Sequence, residues 1–472
     1  MTTRRNMTIG RRRLLQGLGA LAGTGLSGEL SGLFTQVARA QTAFDADSTP
    51  LLLVCTFDGG WDQLLGLDPR NSKTPPSAGI APSYDLVAGS SPVVQQALSA
   101  TGGTGLVTPQ GSAITFGPAV GKLADLYADL CVVRGINMGT LTHEVGRRYN
   151  LTGKFPRGLA ASGSSLGTWH AHQTGDLTPI PNLVVSGESF NEGLHGFATG
   201  LQVRQSFDLL TVLAALGEPL SAAAQQAVDA WAWVPKCSDQ LYDGEGAVTR
   251  FLDAREKSAA LADGSLAGHF RFNGGTNATV DALKAHFGVA TNADLNGPAG
   301  QAMIAVQALT QGVSQAVHIP LATASIDHHD DDYQSDHAPA LVAGFEALAD
   351  TIAWLKQARD ANNQPFWDRT TLLVTSDFAR TPRLNGRGGR DHHLASSCLL
   401  AGAGIRGNTV VGATDDAAMG IRGIDPTTGA AVSEGGILVR PPDIHATLTK
   451  AMGIGHEHID NQDPVVLSAA LA

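Results

Sequence analysis

Residues 50–62 read PLLLVCTFDGGWD, and the fold is decided there. An unbroken apolar run of this length, closed by Asp58, Gly59 and Gly60, suits a strand buried on both faces of a parallel sheet. Outward from it, the same pattern recurs at 129–134 (DLCVVR), 182–186 (NLVVS), 317–324 (VHIPLATA), 370–376 (TTLLVTS) and 397–402 (SCLLAG). Helical stretches lie between these runs, one at 117–128 and the clearest over Pro339–Arg359. In the latter, Leu341, Phe345, Leu348, Ile352 and Leu355 form a single apolar stripe. Strands alternating with helices predict an α/β fold, a doubly wound three-layer αβα sandwich on a mostly parallel sheet. Residues 205–300 break the rhythm, being Ala-rich with no clear strand, and read as a helical insertion or cap. Residues 70–116, rich in Pro, Gly and Ser, read as a long surface excursion.

The chain has 472 residues, 43% of them hydrophobic and 16% charged, a globular composition that excludes disorder for the bulk. Its first forty residues are of another kind. Arg11, Arg12 and Arg13 precede a weakly apolar Gly/Ala/Leu stretch, and Ala38-Arg39-Ala40 precedes Gln41. Together these predict a twin-arginine (Tat) signal peptide over 1–40, cleaved after Ala40, with 41–472 forming one domain. Gly, Ser and Glu29 interrupt 14–36, against a membrane anchor, and no other apolar run reads as long enough to span a bilayer. The expected location is the periplasm or the cell exterior, with the Tat export machinery as a partner. Six arginines against Glu29 give the leader a charge of +5, so its removal takes the net charge from −11 to −16. A body that acidic has no footprint for nucleic acid or an anionic membrane. Cys55, Cys131, Cys237 and Cys398 form no CxxC pair, and three of them sit in apolar runs, as buried free thiols do.

In open α/β sheets, ligands bind beyond the carboxyl ends of the strands. Those ends are rich in metal-binding residue types here. Asp58 and Asp62 follow the first strand. The 317–324 run leads into Asp327, His328, His329, Asp330, Asp331 and Asp332, then Asp336 and His337. Asp377 closes LLVTSD, and Asp391, His392 and His393 follow a Gly-rich loop. One acidic run alone is usually a solvated face. Three strands each ending in Asp, two of them accompanied by His, point to carboxylates gathered around a cation, because gathering them without one is costly. Carboxylates with imidazoles and no thiolates suit one or two divalent ions, Zn, Mn, Fe or Mg. A second feature is HEVGRRYNLTG at 143–153, a helix start with Thr142 as its N-cap. Its free amides and Arg147, one turn on, would hold a phosphate or sulfate.

FDGGWD, the 143–153 segment, SIDHH at 325–329, TSDFARTPRLNGRGGRDHH at 375–393 and PPDIHATLTKAMGI at 441–454 carry a family resemblance. Over residues 50–455 the chain resembles the Tat-exported bacterial family called domain of unknown function 1501, related to the alkaline phosphatase/sulfatase superfamily. That resemblance implies Asp58, Asp327, His329, Asp377 and His392 as metal ligands, with His337 and His393 as second choices. It implies Arg147 as the anion clamp, while the superfamily's nucleophile position falls on His143, beside Thr142. Either could act at the reacting centre, His143 also as ligand or base. The superfamily's Asp-His dipeptide reads Asp377-Phe378 here, one ligand short. The implied activity is metal-dependent hydrolysis of a phosphate or sulfate ester, on a small anionic ester or modified glycan. The alternative is a secreted protein that keeps the fold and binds a partner or surface glycan without turnover.

Overall fold

A computed structural model describes residues 48–204, 206–213, 265–273 and 277–472, with isolated positions at 223 and 226. The expected signal peptide, Cys237 and most of 214–264 therefore lie outside the described residues. The strands are β1 (Leu51–Phe57), β2 (Leu130–Asn137), β3 (Asn182–Val185), β4 (Leu201–Val203), β5 (Ala316–Pro320), β6 (Thr370–Ser376), β7 (Ala379–Arg380), β8 (His392–His393), β9 (Ala395–Gly402) and β10 (Thr409–Val411). Eight of them form one sheet in the order β10-β2-β9-β6-β1-β5-β3-β4. Only β9 runs antiparallel to its neighbours, β2 and β6, and β7 pairs with β8 in a small separate ribbon.

The helices are α1 (Tyr84–Ala88), α2 (Pro92–Ala100), α3 (His143–Thr152), α4 (Leu166–Thr174), α5 (Ser206–Leu213), α6 (Ala278–His286), α7 (Pro298–Thr310), α8 (Ala338–Gln357) and α9 (Pro441–Ala451). Side chains alternate across β1, and the alternation sorts them into two cores. Leu51, Leu53, Cys55 and Phe57 pack with residues of α7 and α8. Leu52 and Val54 pack with Tyr149 of α3, Leu166 and Trp169 of α4, and Ile444 and Leu448 of α9. The architecture is thus a helix–sheet–helix sandwich whose central strands are wholly buried.

Helix α8 carries the predicted stripe, and all five of its residues are at most 1% exposed. The helical run Tyr333–Gln357 is in fact long and apolar enough to reach across a bilayer, contrary to the sequence reading; 61% of an apolar 18-residue window within it is buried inside the protein. The surface excursion expected over 70–116 is also corrected. Ile80, Tyr84, Val87, Val94, Leu98, Ile114 and Phe116 are buried, and α1 and α2 dock on the α8 side of the sheet. Its apolar residues are widely spaced, but each lands on the core. The stretch read as helical at 117–128 is a 3-10 helix over Gly121–Asp129. Among the described residues between 205 and 300 there are helices and no strand.

Candidate metal centre and anion cavity

Strand register puts the site where it is. Phe57 lies opposite Ser376 in the β1–β6 pair, so the next residues, Asp58 and Asp377, leave the sheet side by side. β5 ends at Pro320, opposite Thr56, and the chain beyond it returns over the same edge, with Ile326 N donating to Asp58 O at 3.2 Å. Gly59 permits that approach. Its φ is +112°, and a Cβ there would stand 2.8 Å from Asp327 N. Helix α3 delivers His143 from the other face, and Gly146 lets it come close, since a Cβ would meet Asp377 O at 2.3 Å.

Three imidazoles converge at this edge, each held from behind. His143 Nδ1 lies 2.8 Å from Asp377 Oδ2, His329 Nδ1 2.8 Å from Asp391 Oδ1, and His392 Nδ1 2.6 Å from Leu141 O. Carboxylate and carbonyl oxygens only accept, so each Nδ1 donates and each neutral ring turns its Nε2 lone pair to the cluster, that of His329 also lying 3.3 Å from Arg380 Nη1. Those Nε2 atoms face one another, at 3.0 Å for His143–His392 and 2.8 Å for His329–His392. Asp327 Oδ1 sits among them, 3.1 Å from His143 Nε2, 3.1 Å from His329 Nε2 and 3.4 Å from His392 Nε2. The donor atoms of His143, Asp327 and His392 lie within 4.8 Å of one another, with His329 at the edge of the group. Phe378, which follows Asp377, packs under the cluster with its ring centroid 4.6 Å from His143 and 4.4 Å from His392.

Arg380 backs Asp327. Its fully buried guanidinium donates to Asp327 Oδ1 at 2.5 Å, to Gly59 O, and to Arg390 O at 3.1 Å. Burial pushes the Asp327 carboxyl up, but Arg380 and the neighbouring imidazoles overcome this and hold it well below the carboxylate range. Asp58 goes the other way. Burial, with the Asp377 charge adding to it, pushes its carboxyl up to about 6 against the opposing pull of Arg147.

The cluster opens into a cavity of about 500 Å³ whose wall includes Asp58, His143, Arg147, Asp327 and Asp377. Arg147 also lies 3.4 Å from Glu188, which Arg148 holds at 2.6 Å. Thr142 precedes α3 as expected, but its hydroxyl makes no capping bond; it is exposed and outside the cavity wall. His337 and His393 stand apart from the cluster. The first is buried and accepts from Asp62 N at 3.1 Å, and the second turns to the Ala395 backbone. Asp62 itself is buried against Arg390 and Tyr333, while Asp330, Asp331, Asp332 and Asp336 are exposed.

The donor set fits a divalent cation. Two lone pairs facing each other within 3 Å repel unless a proton or a metal ion stands between them. The buried Asp58 Oδ1 has no hydrogen-bond partner, and nearby Arg147 is already shared with Glu188. Oxygen acceptors behind each imidazole are the usual support of metal-binding histidines. The sequence reading did not single out Arg380, Arg204 or Gln301, and it grouped Asp391 with the candidate ligands rather than behind His329. Only Arg380 had a local signal, an arginine three residues beyond a strand-ending aspartate.

Residues 51–462 match the family model described as "Protein of unknown function (DUF1501)", and the chain belongs to that family. Comparison with curated proteins gives no match. Among solved structures it is similar to Ps i-CgsB in complex with k-i-k-neocarrahexaose, at 10% identity and a TM-score of 0.36, covering 88% of this chain and 75% of that one. It is also similar to the PsFucS1 sulfatase from Pseudoalteromonas sp., at 14% identity and a TM-score of 0.33, covering 90% of this chain and 72% of that one.

Proposed function

We propose that this member of the DUF1501 family is an exported, metal-dependent hydrolase of phosphate or sulfate esters. The observation that carries the reading is the convergence of three Nδ1-pinned imidazoles on Asp327 at the mouth of a cavity that also presents Arg147. His143, Asp327 and His392 would hold the ion, with His329 beside them and Asp58 and Asp377 in the adjoining wall. When bound, such an ion supplies a Lewis acid that polarises an ester oxygen. The chain's own residues do the rest. Arg147 offers its guanidinium to the anion, and Asp377 fixes the ring plane of His143. Asp58, with a carboxyl raised to about 6 and one oxygen unpartnered, is suited to take a proton from an attacking water or return one to the leaving group. Arg380 keeps Asp327 ionised.

The test is to purify the mature protein, measure bound metal, and assay aryl phosphate and aryl sulfate hydrolysis with and without a chelator. Stoichiometric metal and chelator-sensitive turnover, both lost in Asp327→Ala and His392→Ala, are expected. A folded protein that binds no metal and turns over neither ester would refute the reading and leave the binding-module alternative. For export, replacing Arg11, Arg12 and Arg13 with Lys should strand the unprocessed chain in the cytoplasm. Normal processing to Gln41 in that variant would count against the Tat route.

A further inference from the structure

The cavity holds more recognition groups than one ester anion uses. Besides the cluster and Arg147, its wall includes Arg204 from the end of β4 and, ahead of and within α7, Asn296 and Gln301. Arg204 precedes the 205–300 segment, Asn296 lies near its end and Gln301 just follows it. The Arg204 guanidinium has no hydrogen-bond or ion-pair partner among the described residues; only its backbone is engaged, N donating to Asp208 and O accepting from Ser186. Gln301 is 4% exposed, and its amide oxygen is buried without a partner. A buried amide lacking a hydrogen bond is a cost that a bound polar group removes. Among the described residues, no Phe, Tyr or Trp lines the cavity, and Pro320 and Ala322 are its apolar side chains.

Building on the hydrolase reading, in which the first anion sits at the cluster and Arg147, we infer that Arg204 forms a second anion subsite in the same cavity. The substrate is then a polyhydroxylated ester carrying two anionic groups, one cleaved and the other held by Arg204, with Gln301 and Asn296 hydrogen-bonding its hydroxyls. Phosphate and sulfate present the same tetrahedral oxyanion to a guanidinium fork, so both sources are covered. The substitutions that matter are Arg204→Gln, Arg204→Lys and Gln301→Leu.

Titration calorimetry on the metal-loaded mature protein tests this without relying on turnover. The probes are glucose 6-phosphate against glucose 1,6-bisphosphate, and glucose 6-sulfate against a glucose disulfate. In at least one pair, the sugar with two anionic groups should bind ten times or more tighter than its partner with one. In Arg204→Gln that ratio should collapse towards one, in Arg204→Lys it should recover in part, and Gln301→Leu should weaken both members of the pair. The pair that shows the ratio identifies the source. Equal binding within both pairs, no binding of any of the four, or a ratio that survives Arg204→Gln would overturn the subsite. The two readings fail separately. A protein inert towards every ester that still shows the Arg204-dependent ratio loses the hydrolase reading alone. One that cleaves aryl esters but shows no ratio loses the subsite alone.

Discussion

A histidine becomes a ligand through what stands behind it. His329 presents Nε2 to the cluster because Asp391 holds Nδ1 at 2.8 Å, and Asn385 in turn donates to Asp391 at 3.0 Å. Removing that support in Asp391→Ala should lower metal affinity 10- to 100-fold, read by competition with a chelating indicator dye. Unchanged affinity would mean that His329 is no part of the site. Gly146 offers a second test. An added methyl would meet Asp377 O at 2.3 Å, so Gly146→Ala must push α3 away and carry His143 with it. A loss of about 1–3 kcal/mol in a urea titration is expected, together with weaker metal binding. At this scale the sequence was partly legible. The strand-ending aspartates and the Asp-His pairs show themselves by position. What no sequence pattern shows is which ring nitrogen donates, because the acceptor behind His392 is a backbone carbonyl, Leu141 O, 251 residues away. That is also why His143, read as a reacting group, turns out to face the same point as the candidate ligands.

At the scale of elements, register converts sequence into a site. The pairing of Phe57 with Ser376 brings two aspartates together that are separated by most of the chain. A slip of one residue would turn the side chains of β1 to the opposite faces and part Asp58 from Asp377. The rigidity behind this register comes from the helices packed on it. Helix α8 buries Leu348 completely against the core, so Leu348→Ala should cost about 2–5 kcal/mol in chemical denaturation. A cost below 1 kcal/mol would mean that the stripe does not brace the sheet. The central strands and α8 were legible because their periodicity is long and uninterrupted. Residues 70–116 were not, since their buried positions are scattered among Pro, Gly and Ser and share no period. Their placement is settled by tertiary contact alone, as when Tyr84 OH lies 3.0 Å from Leu64 O and 2.9 Å from Arg70 O.

Over the whole molecule, the response to acid is set by histidines far from the cavity as well as by the site. His170 and His445 are buried beneath the second core. Each donates to a backbone oxygen, Pro50 O at 2.8 Å and Asn150 O at 2.7 Å, and burial lowers each to about 4. In the unfolded chain a histidine titrates near 6.5. Because the folded value is the lower one, the unfolded state binds more protons between the two. The stabilisation is therefore complete above about pH 6.5 and is lost as pH falls towards 4. Each histidine contributes a slope of about 1.4 kcal/mol per pH unit across that window. Asp58, raised to about 6, works in the opposite direction, as do Asp443 and His143, both also raised, but burial pushes His318, His337 and His458 down as well, so the lowered histidines prevail. Urea midpoints measured at pH 7.5, 6.5, 5.5 and 4.5 should accordingly fall once pH drops below 6.5. His445→Asn, though less stable at pH 7.5, should show a shallower fall, because the site that protonates on unfolding is gone. A midpoint that holds level from 7.5 to 4.5, or a fall equally steep in His445→Asn, would show that these rings are not what acid titrates.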